Sequence, residues 1–227
     1  MMLDDIEMIE NLVLHQLKNF FIDIDEGKVV SSIKYAIKDM EENYKELSSD
    51  RYYDSGGKII FNPCHSVTWM IFLYRLSWHL AHKNEKIPKE ADMVYYLNKI
   101  MHANDWYYMI NLPIHFWCEH PLGSVLGRAK YSDYLMVYQN VTIGGNRKNG
   151  KIFYPTLGKN VCLYAGATIL GDTKIGNNVI VSADSYLINE TIPDNCIVFG
   201  KSPNIVIKAK SELEILDMTS HIWRWNK

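Results

Sequence analysis

The chain has 227 residues, of which 48% are hydrophobic and 22% are charged, and its formal net charge is −2. This length gives room for one large domain or two modest ones, and the net charge excludes an overall basic field that would attract nucleic acid or an anionic membrane. The longest strongly apolar run, near 67–76, is too short for a membrane span. The acidic N-terminus lacks the pattern of a signal peptide. We therefore expect a cytoplasmic protein.

The first part of the chain predicts α-helices, because apolar residues recur there at helical spacing. Two series of this kind are Ile6, Ile9, Leu12, Val13, Leu17 and Phe20, and Ile33, Ile37, Met40 and Tyr44. Ser66 is predicted to cap a third helix over 67–83, which is apolar around most of its circumference and should be buried. A fourth helix is predicted over 90–102. Pro113 ends this part, so we predict a helical domain over 1–112.

A six-residue period appears farther along, where glycine, valine, isoleucine and asparagine become frequent. Aliphatic residues occupy every sixth position at Leu157, Leu163, Ile169, Ile175, Val181 and Leu187. Neither the 3.6-residue period of a helix nor the two-residue period of a strand gives a strict six, so the pattern indicates an internal repeat. Three hexads would form one coil of a triangular prism, with the aliphatic side chains inside and successive coils pairing as short parallel strands.

The same period extends upstream through Val125, Val137 and Ile143, with Tyr131 where an aliphatic residue is expected. Leu157 follows Ile143 by fourteen positions instead of six, so eight extra residues are predicted to loop out from a corner. Insertions on a repeat scaffold commonly build the binding face. We predict that the repeat domain covers 113–207.

The last part of the chain, 208–227, is predicted to leave the prism and to include a short helix. Trp223 and Trp225 are expected to pack either on the body of the protein or on a neighbouring chain.

The four cysteines are widely spaced and form no Cys-x-x-Cys pair, which argues against a disulfide framework. Cys162 and Cys196 fall within the repeat and are predicted to be small hydrophobic residues of its wall. His115, Cys118, Glu119 and His120 are ligand-type residues in one short stretch. The sequence offers no second half for such a site, so we expect no metal.

Three stretches resemble a known family. Residues 69–80 combine an aromatic residue, Tyr-Arg and a small-His-aliphatic pattern; residues 119–123 read Glu-His-Pro-Leu-Gly; and residues 139–145 read Gln-Asn-Val-Thr-Ile-Gly-Gly. Together with the hexads, they resemble the hexapeptide-repeat acyltransferases, and among these most closely the serine acetyltransferases, over roughly 69–208. The resemblance implies an α+β fold in which N-terminal helices precede a left-handed parallel β-helix with one extruded loop.

The resemblance also implies an acetyltransferase that uses acetyl-CoA as donor and passes the acetyl group directly to an acceptor. His120 is the predicted general base, because an imidazole is suited to proton transfer near neutral pH. Glu119 could help to position the acceptor.

The predicted donor site follows from the same resemblance. The backbone N–H of Gly145, in the pair Gly144–Gly145, is expected to face the reactive end of the coenzyme. Backbone groups at Ala165 and Ala183 are expected to run along the pantetheine arm. The side chains that could bind coenzyme phosphates are Lys148, Lys201 and Lys208.

The acceptor side departs from the family. Serine acetyltransferases carry Arg-His-Pro in the extra loop, whereas Phe153, Tyr154 and Pro155 stand here. The cation for an amino-acid carboxylate is lost, and an aromatic pair suits the apolar face of a sugar or a base, with Tyr154 free to bind a hydroxyl. We therefore expect O-acetylation of a sugar or surface-glycan unit. Serine O-acetylation, amino-sugar N-acetylation and a non-catalytic β-helix scaffold are the alternatives.

A β-helix that ends exposes unpaired strand edges, which need cover. The resemblance implies a homotrimer with coenzyme A between neighbouring prisms, and the N-terminal helices could join two trimers.

Overall fold

The computed structural model describes residues 2–225 and divides the chain into two compact units. The first unit contains the chain up to Ala103 together with Tyr107–Met109, and the second contains Asn104–Trp106 and the chain from Ile110 onwards. No helix within the described residues is long and apolar enough to cross a membrane.

Four helices and one 3₁₀ turn form the first unit. The helices are α1 (Ile6–Phe20), α2 (Glu26–Lys45), α3 (Ser66–His82) and α4 (Lys89–His102), and the turn is Asp50–Tyr52. Helix α3 packs between α2 and α4, while α1 packs on α2 and α4. The four predicted helices are thus present, and the last of them ends ten residues before the predicted domain boundary at 112.

Helix α3 is buried around almost its entire circumference, as its apolar sequence predicts. Two of its polar side chains bond to α2: the hydroxyl groups of Thr68 and Tyr44 lie 3.1 Å apart, and His79 Nε2 lies 2.9 Å from an Asp39 carboxylate oxygen. The predicted cap was wrong. Ser66 is the first helical residue, and His65 occupies the N-cap position without a side-chain capping bond.

The second unit is a left-handed β-helix of about five coils with three faces. The first face contains β2 (Phe116–Cys118), β5 (Leu135–Val137), β10 (Val161–Leu163), β13 (Val179–Val181) and β16 (Cys196–Lys201). The second face contains β1 (Asp105–Trp106), β3 (Val125–Leu126), β6 (Thr142–Gly144), β11 (Thr168–Leu170) and β14 (Tyr186–Ile188). The third face contains β4 (Lys130–Tyr131), β9 (Thr156–Leu157), β12 (Lys174–Ile175) and β15 (Thr191–Ile192). Neighbouring strands within each face pair in parallel.

The interior of the β-helix is the predicted aliphatic column. All six side chains of the hexad series are buried, at 0–4% exposure. The strand register pairs aliphatic residues of successive coils: Leu163 lies opposite Val137 and Val181, and Ile169 lies opposite Ile143 and Leu187. Burying such a side chain stabilises the fold by about 1.5–3 kcal/mol before the entropy of ordering it is subtracted.

The predicted interior position was wrong at Val125. Val125 is 40% exposed, whereas Leu126 is buried and lies opposite Ile143 in the interior. Tyr131 does take an interior strand position, opposite Leu157. The error arises between Leu126 and Tyr131, which are five positions apart, whereas their strand-aligned counterparts Ile169 and Ile175 are six apart, so counting back six from Tyr131 reaches Val125.

The corner between the third and first faces is made by a ladder of asparagines. Asn160, Asn178 and Asn195 have φ between 53° and 55°, a left-handed conformation that asparagine adopts more readily than most residues. The side-chain amide of Asn160 donates to Asn178 Oδ1 at 3.0 Å, and that of Asn178 donates to Asn195 Oδ1 at 2.9 Å. This ladder holds successive coils in register at the corner between the third and first faces.

The predicted extruded loop is a β-hairpin. Strand β7 (Asn146–Lys148) pairs antiparallel with β8 (Lys151–Phe153). Asn149 and Gly150 join them with φ of 50° and 77°, which is the pattern of a tight two-residue hairpin turn. The parallel strands resume at Thr156, so the hairpin leaves the column unbroken.

The C-terminal part packs back on the second unit. Strand β17 (Asn204–Ala209) pairs antiparallel with β16, and helix α5 (Glu212–Thr219) follows, with a capping box made by Ser211 and Glu214. The buried Trp223 ring lies 5.4 Å from the Tyr134 ring. Of the two predicted alternatives, packing on the body of the protein is the one found.

All four cysteines are free, and Cys118, Cys162 and Cys196 are buried. Burial raises the pKa of Cys162 to about 12, so this thiol stays protonated. The prediction that Cys162 and Cys196 are wall residues is confirmed.

Candidate functional site

One corner of the β-helix contains the predicted base and two predicted donor-site residues. We call it the histidine corner; it joins the first face to the second and consists of 119–124, 138–141, 164–167 and 182–185. Backbone bonds link its coils, since the N–H groups of Glu119, Tyr138 and Tyr164 each donate to the next coil at 3.0 Å. His120, Ala165 and Ala183 therefore lie along one edge.

His120 lies where the first coil is longer than the later coils at this corner. Cys118 and Val125 are seven positions apart, whereas their strand partners Val137 and Thr142 are five apart, so the first coil has two extra residues here. The side chain is exposed, and its ring forms no hydrogen bond with any residue from 2 to 225. Its φ is 48°, a backbone conformation often found at functional positions. The imidazole is therefore presented to solvent on a bulged corner.

The wall next to His120 is aromatic. The Tyr138 and Tyr164 rings stack with centroids 4.9 Å apart and planes inclined by 22°. Burial raises the pKa of both phenols, so they remain neutral hydrogen-bonding groups. Gln139, in the coil after His120, has a buried side-chain oxygen with no hydrogen-bond partner among the described residues.

Sequence reasoning gave these three residues no role. Gln139 belongs to the quoted motif, but nothing in the motif shows that its oxygen lacks a donor. The tyrosine stack depends on the pairing of coils across the hairpin, which hexad counting does not reveal.

Gly144 ends β6, and Gly145 begins the corner between the second and third faces, from which the hairpin arises. A Cβ on Gly145 would lie 2.7 Å from the Tyr154 ring and 2.8 Å from the Ile152 side chain. Tyr154 therefore packs directly on Gly145, and the room left by the absent Cβ is taken by this chain's own side chains. Tyr154 keeps 38% exposure, so its phenol remains accessible.

The structure does not bring His120 and Gly145 together within one chain. Asn140 lies at the histidine corner, and the extended strand β6 leads from it towards Gly145, five residues farther on. At about 3.3 Å per extended residue, these five residues span at most about 16 Å. The two predicted halves of the site thus lie at opposite ends of the second face.

A cleft of about 530 Å³ lies between the hairpin and the next two coils. It is lined by Lys148, Asn149, Lys151, Phe153, Asp172 and Asn189. Of the three lysines predicted to bind phosphates, Lys148 lines this cleft. Lys201 ends β16, and Lys208 lies on β17 with its ammonium 5.1 Å from the centre of the Phe199 ring. The three lysines lie on different strands.

Among residues 2–225, no group of three or more histidine, cysteine or acidic side chains is arranged to hold a metal ion. Of the four ligand-type residues noted in the sequence, Cys118 is buried and His115 Nδ1 lies 2.7 Å from an Asp133 carboxylate oxygen. The His115 bond, together with two backbone N–H groups, lowers the pKa of Asp133 despite its partial burial.

Comparisons with known proteins agree with this architecture. The family model described as bacterial transferase hexapeptide (six repeats) matches residues 154–189. A serine acetyltransferase of Synechococcus elongatus is 29% identical over 155 residues, which is 68% of this chain and 59% of that protein. One from Staphylococcus aureus is 36% identical over 89 residues, which is 39% of this chain and 41% of that protein. The chain thus spans about three fifths or less of these relatives.

Solved structures show the same fold at low sequence identity. A serine acetyltransferase of Vibrio cholerae superposes with a TM-score of 0.66 at 20% identity, covering 85% of this chain and 75% of that one. The enzyme of Neisseria gonorrhoeae gives 0.64 at 21% identity, covering 82% and 71%. A serine acetyltransferase described in complex with CoA gives 0.62 at 19% identity, covering 81% and 74%.

Proposed function

We propose that this chain, which is similar to hexapeptide-repeat serine acetyltransferases, transfers an acetyl group from acetyl-CoA to an acceptor, with His120 as general base. The observation that carries this proposal is the histidine corner. It presents an unpaired, exposed imidazole on a bulged turn, in line with two small residues that leave a long edge open.

The chemistry needs few groups. His120 takes the proton of the acceptor hydroxyl as its oxygen attacks the thioester carbonyl carbon. The negative charge that develops on the carbonyl oxygen needs a fixed donor, and the backbone N–H of Gly145 is our candidate. When the carbon–sulfur bond breaks, the proton held by His120 passes to the leaving thiolate of coenzyme A. No covalent bond to the enzyme is required.

The separation of the two corners supports an assembly. A site that uses both His120 and Gly145 is incomplete in one chain, because they lie at opposite ends of the second face. We propose a homotrimer in which the histidine corner of one chain meets the hairpin of the next, with the coenzyme between them along Ala165 and Ala183. This arrangement leaves Glu119 beside the acceptor, and Lys201 and Lys208 are the candidates for binding the coenzyme phosphates.

Subunit mixing tests this assembly. Two inactive variants, His120→Asn and one with 146–153 replaced by a short Gly-Ser linker, are refolded together and compared with each alone. A shared site regains part of the activity in the mixture, because some interfaces combine an intact corner with an intact hairpin. A mixture as inactive as its components would contradict the shared site.

For the acceptor, the relatives favour L-serine, since the similar proteins named above are serine acetyltransferases. A specific feature favours a second candidate, a sugar or glycan unit. Phe153 and Tyr154 are exposed where the family resemblance implies a cation and a second histidine, and aromatic rings bind the apolar faces of sugars.

An acceptor screen decides between these candidates. Release of free coenzyme A is measured with L-serine, amino sugars and nucleotide sugars, with His120→Asn as the inactive control. Serine turnover at an ordinary enzymatic rate, on the order of 1–1,000 per second, supports the first candidate and refutes the second. Turnover of an amino sugar to a product whose acetyl group resists mild alkali, as an amide does and an ester does not, identifies N-acetylation. Coenzyme A binding without transfer to any acceptor indicates a scaffold.

A further inference from the structure

The hairpin presents two different surfaces. Lys148 lies directly opposite Lys151, and Arg147 lies directly opposite Ile152. Side chains alternate between the two sides of a strand, so Lys148, Lys151 and Phe153 share one side, while Arg147 and Ile152 share the other. The first three residues all line the cleft of about 530 Å³.

The two lysines form an unfavourable pair in the free protein. Like charges directly opposite each other on antiparallel strands repel and destabilise a hairpin. Neither ammonium group has an ion-pair or hydrogen-bond partner within residues 2–225. The acidic residue of the cleft, Asp172, lies 3.7 Å from the Lys174 ammonium and so already has a cation beside it. The cleft therefore has two uncompensated positive charges, which an anion placed between them would satisfy.

The rest of the cleft adds an apolar surface and neutral polar groups. The Phe153 ring is 37% exposed and follows Lys151 by two positions on the same side of the hairpin. Asn149 and Asn189 supply side-chain amides. A ligand that carries an anionic group next to a ring could place the anion between the lysines and the ring against Phe153. L-Serine has no ring and would leave most of this volume empty.

We propose that this cleft binds a phosphate or diphosphate joined to a sugar or nucleoside ring, as in a nucleotide-activated sugar. The phosphate lies between Lys148 and Lys151, and the ring lies on Phe153. The inference rests on the proposed acetyltransferase function and deepens its second candidate, because it assigns the cleft to the acceptor. Coenzyme A has the same chemistry in its adenosine phosphates, so the experiment must separate donor from acceptor.

Calorimetric titration with uridine diphosphate, in the presence of saturating coenzyme A, makes this separation. The coenzyme occupies its own site, and the probe reports on the remaining phosphate site. Lys148→Gln and Lys151→Gln are compared with Arg147→Gln, which loses the same charge from the opposite side of the hairpin. Each lysine variant is expected to weaken uridine diphosphate binding by about tenfold, which is typical of a lost charge-assisted contact. Arg147→Gln should change it by less than about twofold, and all three variants should bind coenzyme A as the unchanged protein does.

Three results would overturn the proposal. An equal loss in Arg147→Gln would show that the hairpin acts only through its general charge. Weaker binding of coenzyme A, rather than of the probe, in the lysine variants would assign the cleft to the donor. If uridine diphosphate does not bind at millimolar concentration, the cleft is not a site for a phosphate joined to a nucleoside. If uridine diphosphate does not bind but coenzyme A binds normally, only the cleft assignment fails and the proposed acetyltransferase function is retained. If neither ligand binds, the proposed acetyltransferase function fails as well. Because the three side chains are exposed, the variants should melt as the unchanged protein does.

Discussion

Replacing His120 by asparagine removes the imidazole while keeping the backbone of the histidine corner. His120 has a φ of 48°, and an alanine forced into this left-handed region costs about 1–2 kcal/mol. Asparagine and aspartate enter it readily, and later coils of the same corner already use them: Asn140 and Asp184 both have a φ of 55°. His120→Asn is therefore a cleaner test of catalysis than His120→Ala.

The expected effects on stability and on rate differ greatly. The His120 ring is exposed and has no hydrogen bond within residues 2–225, so the free energy of unfolding should change by no more than about 0.5 kcal/mol. Loss of a general base typically lowers kcat by about 10²–10⁴-fold. At about 1.36 kcal/mol per factor of ten, the barrier rises by about 2.7–5.4 kcal/mol.

The assay follows free thiol from acetyl-CoA with the best acceptor of the screen, and thermal melting checks the fold. His15→Asn is the matched control, because it makes the same chemical change at an exposed position of α1. His120→Asn with kcat within about threefold of the unchanged protein would refute the assignment of the base. A large fall in melting temperature would refute the reasoning about stability.

Three further predictions concern stability. Ile169→Ala should lower the free energy of unfolding by about 2–5 kcal/mol, because Ile169 is fully buried in the column; an unchanged urea midpoint would contradict its interior position. Gly158→Ala should destabilise the β-helix by about 1–3 kcal/mol, since the new Cβ would lie 2.5 Å from the Gly176 carbonyl carbon. Gly144→Ala is its control, with ordinary contact at 3.7 Å, and an equal loss there would argue against coil crowding. The first unit should gain stability as pH rises from about 4 to 6.5, because burial lowers the pKa of His102 from 6.5 to about 4 and the unfolded chain binds the extra proton in this range. The free energy of unfolding should rise by about 3 kcal/mol over this pH range. The urea midpoint of His102→Gln should depend less on pH than that of the unchanged protein, and an equal dependence would assign the effect to other groups.

The interior column could be predicted from the sequence because it depends only on local repetition. A side chain on every sixth position, such as Leu163 or Ile175, must face the axis of any three-sided coil. The same rule failed at Val125, because the interior positions Leu126 and Tyr131 are five residues apart instead of six. The loss of one residue from a coil leaves no hydrophobic signature, so only the strand register shows it.

The candidate site was predictable to a smaller extent. The motif and the hexads together place His120 and the two alanines on one corner. The lysine pair and the exposed Phe153 depend on the hairpin register, which follows from the turn at Asn149 and Gly150 rather than from the repeat. Ser66 failed as a cap because the helix begins at that residue, one position earlier than its apolar pattern suggests.

Strand β17 covers the outer edge of β16 with six residue pairs, so no further parallel strand can add to that side of the first face. Each coil advances the axis by about 4.8 Å, the spacing between paired strands. The number of coils before Cys196 therefore sets the length of the β-helix edge, while β17 fixes where that edge ends. Duplicating the 18 residues of one coil ahead of Cys196 would lengthen the edge by one strand spacing and leave the pairing of β16 with β17 intact.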